Sequence, residues 1–176
     1  MNEQIQALVD KQSIYEVLVT YCRGVDRCDE DLIRSAFHED SYDDHGYWKG
    51  PGHELAPFLA DRLRNANSAT THSITNVLIE LDGDLARSES QVHATLIRRG
   101  SDPVEVDVVG ARYLDRFSRR AGEWRIARRV VVLDWHKTEV WAESAPAVPT
   151  EGFARGARRP EDPSYGDALR VGASRR

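Results

Sequence analysis

The sequence has few cysteines and no long apolar run, and these absences exclude several classes of protein. Only Cys22 and Cys28 occur among 176 residues, and their spacing does not fit the CxxC pattern of redox and zinc sites. We therefore expect two reduced thiols and not a disulfide framework. No apolar segment approaches the roughly 20 residues that cross a bilayer, and the N-terminus lacks the basic start and apolar core of a signal peptide. The expected location is the cytoplasm, without membrane association.

Motifs that hold metals, phosphates or covalent intermediates are also missing. The six histidines form no HxH or HExxH pattern, and there is no glycine-rich phosphate loop or serine nucleophile elbow. The sequence therefore predicts neither a metal nor a cofactor. A net charge of -5 and a pI near 5.7 would repel phosphates, so nucleic acid is not an expected partner.

The chain is long enough for one well-buried domain, and its composition of 40% hydrophobic and 30% charged residues is that of a globular protein. We assign residues 1–137 to this domain. Residues 138–176 lack helical and strand periodicity, which predicts an extended C-terminal tail. The aromatic residues Trp141, Phe153 and Tyr165 suggest that parts of the tail dock on the domain or on a neighbouring subunit.

Apolar spacing predicts three helices in the N-terminal half. The first covers residues 3–23 and stops at Gly24, the second covers residues 30–37, and the third covers residues 53–65. The polar segment between the second and third helices, residues 38–49, contains a short strand.

The second half is rich in β-branched residues and turn signals. It predicts four long strands at residues 70–81, 85–98, 104–118 and 123–137, joined by three hairpins. Strands of this length favour a strongly curved sheet. The fold class is therefore α+β, a cone-shaped barrel in which the three helices pack over the concave face of an antiparallel sheet. Such an arrangement leaves a pocket, which is the default ligand site.

Two residues stand out as candidates for chemistry. Asp26 follows the first helix, and His72 lies near the start of the first long strand, on the face that it shares with Ile74 and Asn76. Tyr21, on the apolar stripe of the helix, also points towards the interior. The residues alone leave open a helix cap or surface charge for Asp26 and a structural hydrogen bond for His72.

Further residues are predicted to contact a ligand. Asp44 and His45 belong to an acidic cluster that faces either the cavity mouth or a solvated turn. His93 lies on the second long strand, while Tyr113 and Trp135 lie on the third and fourth.

Several motifs resemble one family. YCRGVD at residues 21–26, TTHSITNVLIELDGD at 70–84 and ARYLDRFSRRAGEWRIARRVVVLDW at 111–135 are similar to the SnoaL-like branch of the nuclear transport factor two-like superfamily. This branch includes bile-acid dehydratase, hexachlorocyclohexane dehydrochlorinase and scytalone dehydratase. The resemblance implies that Asp26 and His72 form a catalytic pair, with Tyr21 at the position of a further catalytic tyrosine.

The chemistry implied is cofactor-independent general acid/base catalysis on a small hydrophobic substrate, polycyclic ones included. Elimination of water is the leading reaction, with His72 as the base and Tyr21, His93 or Asp44 as the acid. Isomerisation by the same base is the second possibility. A non-catalytic ligand-binding or subunit-association module, like the small subunit of ring-hydroxylating dioxygenases, is the alternative. The resemblance also implies a homo-oligomer, a trimer or a dimer.

Overall fold

Three α-helices and one six-stranded sheet form the part of the chain that the structure, a computed structural model, describes: residues 2–142 and 148–166. In chain order the elements are α1 (Glu3–Arg27), α2 (Glu30–Ser35), β1 (Phe37–Asp44), β2 (Lys49–Pro51), α3 (Gly52–Ala66), β3 (Asn67–Asp82), β4 (Leu85–Arg98), β5 (Val104–Arg120) and β6 (Glu123–Trp141), followed by a 3-10 turn at Pro163–Tyr165. The predicted α+β class is confirmed.

Helix α1 does not stop at Gly24 but continues to Arg27, and Cys28 ends it with a left-handed conformation at φ 49°. The predicted stop is wrong because Gly24 serves a close contact between helices. A Cβ atom at Gly24 would lie 2.9 Å from the backbone nitrogen of Ile33 on α2. The additional helical turn carries Asp26, so this contact helps to set the position of that carboxylate.

The six strands lie in the order β2-β1-β6-β5-β4-β3. The meander from β3 to β6 is antiparallel throughout, as predicted. Strand β1, however, pairs in parallel with β6 and antiparallel with β2, so the sheet is mixed where an antiparallel one was expected. The pairing of β1 with β6 joins distant segments and leaves no local signal in the sequence.

Irregular pairing bends the long strands. The register of β3 against β4 shifts between Thr75 and Leu78, where Asn76 has a φ of 48°. The register of β5 against β6 shifts at Gly110/Ala111. Bulges increase local twist and bend the strand that carries them. The curved sheet therefore has a concave face. Helix α1 packs against β3 and β6, and helix α3 packs against β1.

Residues 148–166 form a C-terminal segment, and its last part binds to the turn between α1 and α2. The backbone N–H of Arg159 donates to the carbonyl of Arg27 at 2.8 Å. The Tyr165 hydroxyl donates to Asp29 at 2.7 Å, and Arg27 forms an ion pair with Asp162 at 3.2 Å. Trp141 belongs to β6 and not to this segment.

No helix among the described residues has the length and apolar character to cross a membrane.

Candidate active site

Asp26 and His72 are in direct contact. The Asp26 carboxylate accepts two hydrogen bonds from His72: one from the ring nitrogen Nδ1, at 2.6 Å, and one from the backbone N–H, at 2.8 Å. Each side chain is 12% exposed. A carboxylate can only accept, so the proton of a neutral ring lies on Nδ1, and Nε2 is left with a free lone pair. This is the geometry of an imidazole base held by a carboxylate.

Two secondary-structure elements bring the pair together. Asp26 lies in the last turn of α1, and His72 lies near the start of β3, on which α1 packs. The two anchor points on His72, one on the ring and one on the backbone, fix both the rotation of the ring and the distance between helix and strand.

The C-terminal segment reaches this pair through Arg158. Its Nη1 atom donates to the backbone carbonyl of Asp26 at 2.5 Å and to the hydroxyl of Thr70 at 2.7 Å. Burial lowers the pKa of the Arg158 guanidinium, an effect that the nearby Cys28 and Asp26 side chains oppose. The segment therefore places a half-buried positive charge next to the backbone of Asp26.

His72 lines two cavities. The smaller, of about 250 Å³, lies between α1 and β3 and includes Asp26 and Arg23 in its wall. The larger, of about 790 Å³, lies on the concave face of the sheet. Its wall is largely apolar, with Val92, Ala94, Leu96, Val109, Ala111, Val131 and Leu133. Arg98, Asp107, His136 and Thr138 make one part of it polar. This size is in the range of cavities that hold small organic ligands.

A second carboxylate–imidazole pair also lies at the larger cavity. Nδ1 of His45 contacts the Asp43 carboxylate at 2.7 Å, with Asp43 fully buried and His45 11% exposed. His45 and its neighbour Tyr47 line the cavity. The sequence interpretation named Asp44 here, but alternation along β1 directs Asp43 inward and Asp44 outward. Asp44 instead binds Lys49 at 2.8 Å and the backbone N–H of Gly46 at 3.0 Å.

Behind the cavity wall is a fully buried ion pair that the sequence interpretation missed. Arg129 donates from two nitrogens to the two carboxylate oxygens of Asp115, at 2.7 Å each. Its guanidinium also lies 4.4 Å from the ring centre of Tyr21 and 4.0 Å from that of Tyr113. Burial lowers the pKa of Arg129, but the Asp115 carboxylate more than offsets this effect and keeps the pKa above its usual value. Arg129 therefore stays charged in the buried pair.

The predicted aromatic residues take different places. Tyr113 lines the larger cavity. Tyr21 is 1% exposed and lines neither cavity, and its hydroxyl has no hydrogen-bond partner among the described residues. Burial raises the pKa of Tyr21 well above its ordinary value. Tyr21 thus lies in the core beneath the site.

His93 and Trp135 lie outside the cavity. Their rings are 6.0 Å apart on the outer face of the sheet, next to Gly110. On β4 the apolar residues Val92 and Ala94 face the cavity, and this alternation identifies His93 as outward. For Trp135 the cause is a bulge in β6, where the register skips one residue, so that Trp135 and Leu133 point to opposite faces.

Among the described residues there is no group of three or more His, Cys, Asp or Glu side chains that could hold a metal ion.

A curved sheet, helices across its concave face and an Asp–His pair at the cavity wall define a cone-shaped α+β domain of the nuclear transport factor 2-like fold. Residues 6–130 match the family model described as the SnoaL-like domain. The chain belongs to this SnoaL-like family, as its motifs predicted. No curated protein matches the chain.

Solved structures share the fold. The chain is similar to a hexachlorocyclohexane dehydrochlorinase, LinA type 2, with 20% identity, a TM-score of 0.72, and coverage of 82% of this chain and 99% of that one. A scytalone dehydratase-like protein from Novosphingobium aromaticivorans has 18% identity, a TM-score of 0.68, and coverage of 86% and 99%. A Mycobacterium tuberculosis protein of unknown function has 25% identity, a TM-score of 0.66, and coverage of 76% and 77%.

Proposed function

We propose that this protein is a cofactor-independent lyase that eliminates water from a small hydrophobic substrate, with His72 as the general base. The observation that carries the proposal is the contact between the Asp26 carboxylate and Nδ1 of His72, at 2.6 Å, at the wall of a largely apolar cavity.

The reaction begins with the removal of a proton from carbon. Nε2 of His72 takes the proton from a carbon next to a carbonyl group, and the electron pair of the broken C–H bond forms a C=C bond. The C–O bond to the hydroxyl on the neighbouring carbon breaks, and this oxygen leaves as water after it gains a proton. Asp26 stabilises the imidazolium that forms on His72. The proposed elimination requires no oxidant, reductant or metal.

The cavity favours a substrate with an apolar body and a few polar atoms. The apolar side chains of β4, β5 and β6 exclude water from a ligand, which strengthens the electrostatic effect of nearby charges. Arg98 and Thr138, both bonded to Asp107, offer polar contacts at one part of the wall. Polycyclic substrates fit a cavity of about 790 Å³.

Comparison with solved structures supports elimination as the reaction class. One similar structure is a dehydrochlorinase and another a scytalone dehydratase-like protein, and both reactions named are eliminations. Isomerisation is the second candidate, since the same base can return the proton at another carbon. The mass of the product distinguishes the two, because only elimination removes water.

The test compares two histidine variants. His72→Gln removes the base and is expected to lower kcat by about 10²- to 10⁴-fold, while His93→Gln, on the outer face, leaves kcat unchanged. The assay follows loss of water from β-hydroxy ketones of polyketide and sterol type by mass spectrometry. Equal activity of His72→Gln and wild type would contradict base catalysis and favour a ligand-binding or subunit-association module.

The predicted homo-oligomer, a trimer or dimer, is kept as part of the proposal. The outer face of the sheet exposes Trp135 and Trp141 at 45% and 44%, which is consistent with burial against another copy. Analytical ultracentrifugation of wild type and Trp135→Ala tests this. A monomeric wild type would contradict it.

A further inference from the structure

We propose that His45, held by Asp43, is the general acid of the reaction, so that the substrate loses a hydroxyl group and not a halide. This inference rests on the proposed lyase function and names the leaving group for that same site.

The two imidazoles belong to chain segments near opposite edges of the sheet. His72 lies on the edge strand β3, whereas His45 directly follows β1, and β4, β5 and β6 lie between these two strands. Both imidazoles line the same cavity of about 790 Å³. An elimination needs a base at one carbon and an acid at the leaving group of the next carbon. In this proposal the substrate lies between the two imidazoles, with its acidic carbon at His72 and its hydroxyl group at His45.

Buried charges beside Asp43 favour a protonated His45. Asp43, Asp115 and Arg129 have no exposed side-chain surface, and Asp43 is the register partner of Arg129 across β1 and β6. Arg129 directs two nitrogens to Asp115, so one guanidinium accompanies two buried carboxylates. A buried carboxylate without a countercharge costs several kcal/mol. A proton on His45, 2.7 Å from Asp43, supplies the missing positive charge.

The other ionisable groups near His45 have opposing effects on its charge. Burial raises the pKa of the Asp115 carboxyl, Arg129 opposes the rise, and the charge of Asp43 adds to it. Arg62 lies 4.8 Å from the ring centre of Tyr47 on this side of the cavity. Its positive charge opposes protonation of His45, but Arg62 is exposed, so water screens it more than the buried carboxylates.

The Asp26–His72 pair has surroundings of the opposite kind. The Asp26 carboxylate accepts a backbone N–H as well as the ring, and the half-buried cation of Arg158 binds the backbone carbonyl of the same residue. In the proposal Asp26 therefore holds a neutral His72 and stabilises the imidazolium once the proton is taken from carbon. On this difference in surroundings we assign His72 as the base and His45 as the acid.

The tyrosines at the site are weaker candidates for the acid. Tyr21 lines neither cavity. Tyr113 lines the larger one, but burial raises its pKa well above the ordinary value, so its phenol retains its proton. Tyr113 can donate a hydrogen bond to a substrate oxygen but does not readily release the proton.

A general acid favours a substrate with a hydroxyl leaving group. A hydroxide ion is a poor leaving group and departs as water only when a proton is transferred to it, whereas chloride departs without one. In the proposed step the C–O bond breaks as the proton of His45 moves to the oxygen, and His72 holds the proton taken from carbon. Exchange with water restores both rings.

The charge of His45 is measured directly by NMR of protein labelled with ¹⁵N-histidine. The signals are assigned with His45→Gln and His72→Gln. At neutral pH we expect both ring nitrogens of His45 to be protonated and only one ring nitrogen of His72. Asp43→Asn should convert His45 to the neutral form without changing His72. A neutral His45 in the wild-type protein would overturn the inference.

The role of His45 is tested with two leaving groups. The probes are a β-hydroxy ketone, the hydrate of benzalacetone, and a β-aryloxy ketone that loses para-nitrophenoxide and needs no acid. His45→Gln should lower kcat by about 10²-fold or more for the hydroxy ketone and leave that for the aryloxy ketone nearly unchanged, whereas His72→Gln lowers both. Equal losses for both probes in His45→Gln would exclude an acid role. Failure of wild type on both ketones would count against the lyase proposal, and the NMR result would still decide the charge of His45.

Discussion

The two carboxylate–imidazole pairs at the cavity each consist of an aspartate and a histidine, but they come from different parts of the chain and have different charged neighbours. In one pair, Asp26 and His72 come from a helix and a strand, and a third element, the C-terminal segment, adds Arg158. In the other pair, Asp43 and His45 come from one short stretch of chain, beside the buried ion pair of Arg129 and Asp115. The comparison teaches that residue type alone does not decide whether a histidine is a base or an acid. In our proposal the charges near its carboxylate do.

Asp26→Asn is expected to have the largest effect on this comparison. An amide can donate to Nδ1 and so favours the wrong tautomer of His72, which lowers kcat by about 10⁴-fold in comparable triads. Asp134→Asn, whose carboxylate binds Arg112 on the outer face at 3.0 Å, is the matched control and should keep wild-type kcat. Wild-type turnover in Asp26→Asn would show that the contact is structural only.

The buried ion pair of Arg129 and Asp115, next to Asp43 and His45, is expected to contribute strongly to the free energy of unfolding. Arg129→Met leaves Asp115 buried without its partner, which is expected to lower the free energy of unfolding by about 3–5 kcal/mol. The double variant Arg129→Met/Asp115→Leu should recover a large part of this loss, because no isolated charge of the pair remains. Urea unfolding measures both. A single variant within about 1 kcal/mol of wild type would contradict the assignment of a desolvated pair.

Gly24→Ala should displace Asp26 from His72, because it changes the packing of α1 against α2. The added methyl group would lie 2.9 Å from the backbone of Ile33, so α1 and α2 must separate, at an expected loss of about 1–3 kcal/mol. Because Asp26 lies in the next turn, kcat should fall as well. Gly152→Ala, which meets nothing within 4 Å, is the control. An unchanged melting temperature in Gly24→Ala would show that the helices adjust without strain.

The smallest effect concerns the C-terminal segment, which supports only the first pair. Asp162 is buried, which alone would raise its pKa, but hydrogen bonds from Ala157 and Ser164 and the charge of Arg27 lower it to about 2. A carboxyl whose pKa is lowered in the folded state stabilises that state above its unfolded pKa of 3.8 and loses this contribution as the pH falls towards 2. We therefore expect the segment to detach between these values.

Limited proteolysis with an acid-active protease measures the detachment. Cleavage near residues 157–165 should increase as the pH falls towards 2, and Asp162→Asn should show the same cleavage already above pH 3.8, where the wild-type segment is still attached. Arg158→Ala should lower kcat several-fold while the charge of His45 stays the same. If Arg158→Ala changed the charge of His45 as much as that of His72, the segment would not act on the Asp26–His72 pair alone.

Local sequence patterns predicted the four meander strands and the cavity, because each depends on periodicity or on a nearby turn. Asp26 and His72 were candidates by position, and only the family resemblance implied that they form a pair. The pairing of β1 with β6 was not predictable in this way, since it joins segments distant in sequence. The choice of Asp44 over Asp43 failed for the same reason, because the orientation of a short strand depends on its partner. Trp135 was misplaced by a single bulge, which reverses the direction of the side chain.

The end of α1 shows a different limit. A glycine after an amphipathic run usually marks a helix stop, and Gly24 follows such a run. Its position instead reflects the approach of α2, a tertiary contact that overrides the local signal. The buried position of Arg129 is another such case, because a charged residue on a strand is normally assigned to the solvent face.

The most direct test of the central claim isolates proton removal from loss of the leaving group. Benzylacetone has acidic protons next to its carbonyl but no group to eliminate, so exchange of these protons in D₂O, followed by NMR, reports the base alone. The wild-type protein should exchange them much faster than His72→Gln, with His45→Gln close to wild type. Equal exchange rates for wild type and His72→Gln would contradict the assignment of His72 as the base.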